Sequence, residues 1–110
     1  MLFMMGDNKM IERYIIQDIC ADSWVLAIKY NIIQEELTIG GYSRYRPHIE
    51  NIIKDYFRLS VDFIAFKMTQ KNKMRYVFPF QKAKLDKALD KIREHGFSVE
   101  QVRNLERIMR

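Results

Sequence analysis

Apolar residues along the chain switch between two periods, and the switches mark out eight segments. Over residues 8–21, Ile11, Tyr14, Ile15 and Ile19 recur at helical spacing behind Asp7, a residue suited to an N-cap, so the pattern predicts a helix. Ile16 and Cys20 widen its apolar surface beyond one stripe. That width is expected of a helix with two neighbours, the protein's own core and a second subunit. Residues 24–33 change period: Trp24, Leu26, Ile28, Tyr30 and Ile32 alternate with more polar positions, as in a half-buried strand. After a turn at "QEE", "LTIGGYSRY" reads as the returning strand, with Leu37 and Ile39 inward and a bulge or bend at Gly40 and Gly41.

"RPHIENIIKDYFRL" returns to the helical period through Ile49, Ile52, Ile53, Tyr56 and Phe57, with Pro47 in the first turn. "VDFIAFKMT", the polar turn "QKNK" and "MRYVFPF" predict a hairpin, in which Pro79 belongs at an edge or a strand end. "QKAKLDKALDKIREHG" is an amphipathic helix on Leu85, Ala88, Leu89 and Ile92, closed by Gly96. "SVEQVRNLERIMR", with Ser98 and Gln101 at capping-box spacing, predicts a last helix on Val102, Leu105 and Met109. The expected fold is α+β, in the order α-β-β-α-β-β-α-α, with a four-stranded antiparallel sheet covered by helices on one face.

The 110 residues suit one domain spanning 1–110, with residues 1–7 as a flexible N-terminus. Hydrophobic residues at 48% and charged residues at 30% are globular composition, and no apolar run is long enough to span a bilayer. The opening "MLFMMGDNK" lacks the basic n-region of a secretory signal. One cysteine, Cys20, excludes an internal disulfide and a cysteine-rich zinc site, and the expected location is the cytoplasm.

Charge changes the picture further. Nineteen Lys and Arg against 14 Asp and Glu give a net charge of +5, a sign that favours polyanionic partners. With helices on one sheet face, the other face would collect Lys29, Asn31, Thr38, Arg44, Lys67, Thr69 and Arg75, with Lys71 and Lys73 in the turn. Long basic and polar side chains on a twisted sheet are what a β-reader of the DNA major groove needs; the same residues also suit an ordinary solvated face. In "YSRYRPH", Arg44 and Arg46 interleave with Tyr42 and Tyr45 just before a helix start, a pattern for phosphate contact and base stacking, or else a plain strand-to-helix junction.

The order of elements, with "IENIIKDYF", "FKMTQKNKMRYVFPF", "KLDKALDKI" and "FSVEQVRNLERIM", resembles the LAGLIDADG homing-endonuclease family. Laid on the name-giving motif, "IIQDICADS" keeps Ile19, Ala21 and Asp22, and the resemblance implies that Asp22 is a Mg²⁺-binding catalytic carboxylate at the end of the first helix. Ile16, Gln17, Asp18, Cys20 and Ser23 depart from the motif, so close pairing of motif helices and cleavage are not implied; turn chemistry at "DS" is the alternative for Asp22. The expectation is a protein that binds double-stranded DNA as a homodimer through its N-terminal helix. The alternative is a non-enzymatic module on the same scaffold that binds another protein, as inhibitors and adaptors of phages and mobile elements do.

Overall fold

The computed structural model describes residues 10–18, 24–62 and 65–105. Among them run β1 (Ile11–Asp18), β2 (Val25–Asn31), β3 (Glu36–Tyr42), a 3-10 turn (Ser43–Tyr45), α1 (Arg46–Asp55), β4 (Phe66–Gln70), β5 (Lys73–Pro79), α2 (Lys82–Glu94) and β6 (Phe97–Val102). The strands form one sheet in the order β4-β5-β3-β2-β1-β6, every neighbouring pair antiparallel. Both helices lie on the same face, α1 against β3 and α2 beside β6.

This corrects the expected fold: the sheet has six strands rather than four, and the described residues hold two helices rather than four. The N-terminal segment is an inner strand, paired to β2 on one side and to β6 on the other. Ile16 packs into the helix-side core, while Ile15 faces the other way into a small cluster with Ala27 and Leu105. The broad apolar surface that resembled a helix with two neighbours therefore belongs to a strand covered on both faces, for which β-branched isoleucines are well suited. A homodimer through an N-terminal helix loses its basis, as does the α-β-β-α-β-β-α-α order on which the family resemblance rested. Asp7, Cys20, Asp22 and the flexible 1–7 segment fall outside the described residues.

The expected last helix begins as β6, with Ile16 opposite Val99 and Asp18 opposite Phe97, so cross-strand pairing overrides the capping signal at Ser98. Gly40 and Gly41 carry no bulge: the pairing with β5 runs through both in regular register, and Gly40 also pairs in register with Ala27 of β2. The irregularity falls instead between Met68 and Gln70 in β4. Other local signals hold. Pro47 opens α1, Gly96 ends α2 with φ at 91°, and Pro79 closes β5.

The main core lies between sheet and helices. Leu26, Ile28 and Tyr30 of β2 and Leu37 and Ile39 of β3 meet Ile49 and Ile53 of α1 and Leu85, Leu89 and Ile92 of α2. Two buried polar atoms are satisfied within it: the Tyr30 hydroxyl donates to the Phe80 carbonyl at 2.7 Å, and the Tyr76 hydroxyl donates to the Glu50 carboxylate.

Candidate nucleic-acid interface

Strand pairing brings two basic segments to one end of the sheet. Tyr42, the last residue of β3, sits opposite Lys73, the first of β5, and the Ser43 amide donates to the Asn72 carbonyl at 2.8 Å. The turn after β3 is thereby fastened to the tip of the β4–β5 hairpin. Residues 42–46 and 66–75 together contribute Arg44, Arg46, Lys67, Lys71, Lys73 and Arg75, and they contain no acid.

In β4, the side chains from Lys67 to Gln70 are exposed on both alternating faces, and the turn residues Lys71 and Asn72 are exposed as well. A strand buried on neither face is not covered by the helical layer, so from Lys67 onward β4 is an open sheet edge, while β5 stays paired to β3 down to Lys73. Met68, 51% exposed, adds an apolar contact on the helix side of the ribbon.

Aromatic rings organise the neighbouring cations. The Arg44 guanidinium lies 4.8 Å from the Tyr45 ring centroid and 5.3 Å from that of Tyr42, and donates to the Tyr45 hydroxyl at 3.1 Å. The Lys73 ammonium sits 5.3 Å from the Tyr42 centroid. Such contacts orient a cation over the face of a ring. Arg46 is placed differently: it pairs with Glu50 at 2.8 Å and covers the Phe66 ring at 4.5 Å. Hydrogen bonds from Arg46 and then Tyr76 hold the Glu50 carboxyl below its ordinary range. Burial, followed by that same bond to Glu50, pushes the Tyr76 hydroxyl up to about 12. Arg46 and Glu50 thus fasten α1 to β5 and β4.

Arg75 faces away from the helices, opposite Lys67 in β4 and Gly40 in β3. Its Nε is buried and has no hydrogen-bond acceptor among the described residues. Gly40 allows this approach, since a Cβ there would meet the Met74 carbonyl oxygen at 2.4 Å and the Arg75 Cβ at 3.0 Å.

The remaining expected residues separate from this cluster. Lys29 and Thr38 do share the helix-free face and pair with each other in mid-sheet, but Thr38 is only 5% exposed. Leu105 packs on Ile15 and Ala27, so this face is partly covered and is not the open cationic plate expected. Asn31 lies at the other end of the sheet, where its Oδ1 caps the β2–β3 turn by accepting from the Gln34 amide at 2.9 Å. Arg13, opposite Lys29, belongs to the basic set and was hidden by the helical reading of its segment. Thr69 sits at the β4 irregularity and is exposed.

His48 stacks on Trp24, with centroids 4.9 Å apart and planes 8° off parallel, which fits a packing role. Among the described residues no group of three or more His, Cys, Asp or Glu side chains is arranged to hold a metal ion, and no helix is long and apolar enough to cross a membrane. In comparisons with known proteins, no family model, curated protein or solved structure matches the chain.

Proposed function

We propose that this protein binds double-stranded DNA, with the edge strand β4 and the β4–β5 turn presented to the major groove. The observation that carries the reading is the exposed β4 edge and β4–β5 turn joined to the β3–α1 turn, a surface with six cations and no acid in its two segments. An edge strand with side chains exposed on both of its faces is the part of the sheet that can enter a groove about 12 Å wide. Arg44, Lys67, Lys71 and Lys73 contact phosphates, as does Arg75 through the terminal nitrogens of its guanidinium. Thr69, Gln70 and Asn72 are the exposed polar residues able to address base edges, with Met68 available to a thymine methyl.

The test is fluorescence anisotropy with a labelled duplex, repeated over a range of salt. Five phosphate contacts give a slope of log K against log salt of about −4.5. Neutralising two exposed cations in Lys67→Gln/Lys71→Gln lowers the slope to about −2.7 and weakens binding at least about tenfold at low salt. Duplex affinity unchanged in that variant, or affinity insensitive to salt, rejects the assignment. Tighter binding to a single strand of the same sequence rejects the major-groove geometry.

A further inference from the structure

A second basic surface lies away from the hairpin and has a different build. Between the C-terminal end of α1, the β2–β3 turn and α2 runs a groove of about 780 Å³. Its floor is apolar and aromatic, formed by Tyr56, Phe57, Leu59 and Phe80. Lys84, Lys87 and Lys91 stand along one wall and Arg58 along the other, with Glu35 the acid on the rim. All four cations are exposed, and none forms an ion pair among the described residues, whereas Lys82 and Arg93 on the same helix are paired with Asp86 and Asp90. Helix α2 thus keeps its neutralised charges off the groove and its unneutralised ones beside it. Glu35 and Arg58, the two described non-glycine residues with positive φ (50° and 59°), both border this groove. Backbone strain of that kind collects at functional surfaces.

We infer that the groove docks an acidic amphipathic helix of a partner protein. The lysines follow i, i+3, i+7 spacing, so they mark successive turns over about 10 Å, and a row of carboxylates along a helix repeats at the same interval. A single headgroup answers one cation of such a row; an extended acidic segment answers all of it. Apolar residues of the partner on its i, i+3, i+4 positions fill the floor against Leu59 and Phe57, the usual arrangement of a helix laid in a groove. This partner is separate from DNA, and the two surfaces can be lost independently.

The experiment uses the full chain and a fluorescein-labelled peptide of about 16 residues, with leucines at i, i+3, i+4, i+7 and glutamates flanking them. Expected is saturable binding that falls at least about tenfold in Lys84→Glu/Lys87→Glu/Lys91→Glu and with a peptide carrying Gln for Glu. Duplex affinity stays at the wild-type value in Lys84→Gln/Lys87→Gln/Lys91→Gln. Amide chemical-shift mapping on the wild-type protein, which needs no variant to fold, places the peptide on residues 56–59 and 84–91. No binding of the acidic peptide, equal binding of the Gln peptide, or shifts confined to the hairpin overturns the inference. Displacement of bound peptide by dodecanoate at stoichiometric concentration overturns it in favour of a small anionic amphiphile. Loss of duplex affinity in the triple Gln variant overturns it in favour of a continuous DNA footprint.

Discussion

Gly40→Ala tests the contact that assembles the basic cluster. Gly40 sits in β3 opposite Ala27 of β2 and Arg75 of β5, and its α-carbon faces the β5 backbone with no room for a methyl group. The added Cβ meets the Met74 carbonyl oxygen at 2.4 Å, about 1 Å inside ordinary van der Waals contact. The obstacle is backbone in an inner strand, so relief requires moving β3 from β5 rather than turning a side chain. Overpacking of this sort costs up to about 3 kcal/mol, while the narrower unfolded ensemble of alanine returns about 0.4–1 kcal/mol. The net loss is about 2 kcal/mol, or about 8–16 °C in Tm for a domain of this size. Gly41→Ala is the internal control: its Cβ meets the Val25 carbonyl oxygen at 3.3 Å, which a shift of a few tenths of an ångström relieves. That variant stays within about 0.5 kcal/mol of wild type. Urea unfolding followed by circular dichroism measures both. If Gly40→Ala is as stable as Gly41→Ala, β3 and β5 are not packed as described, and the join between the β3 turn and the hairpin fails with them.

Tyr30→Phe removes the hydroxyl that donates to the Phe80 carbonyl and leaves that buried acceptor unpaired, so urea unfolding shows a loss of about 1–1.5 kcal/mol; an unchanged midpoint contradicts it. Leu105→Ala uncovers Ile15 and Ala27 on the helix-free face and costs about 2 kcal/mol, near the lower end for a buried leucine, whereas a surface leucine costs almost nothing. Glu50 carries a lowered pKa, so its stabilising contribution is complete above its ordinary value of 4.5 and is lost as pH falls through the lower folded value. Glu50→Gln therefore loses less stability than wild type between about pH 5 and pH 3, and an equal loss in both refutes the link between this carboxylate and the Arg46–Tyr76 contact.

Legibility from sequence followed the reach of each signal. Pro47 and Gly96 act on the few residues around them, and the ends of α1 and α2 fall where these residues place them. The alternation of Met74, Tyr76 and Phe78 describes a strand buried on one face, and those three side chains are the buried ones in β5. The candidate interface was legible as residue types: seven of the ten expected DNA-contact residues, all but Lys29, Asn31 and Thr38, lie in the two joined segments 42–46 and 66–75. Their separation from Asn31 was not legible, because a period of two reports which face a residue takes and not which end of the sheet it occupies.

By itself, the sequence determined the two helices, the four strands from β2 to β5, and the concentration of positive charge around the hairpin, because caps, turns and periodicity are local properties. Only the tertiary structure decided that the first segment and the one after α2 are strands. Ile16 and Val99 are 83 positions apart, and each supplies the pairing that makes the other's segment extended. A strand covered on both faces shows no clean alternation to distinguish it from a helix, so its identity comes from partners that the local pattern does not contain.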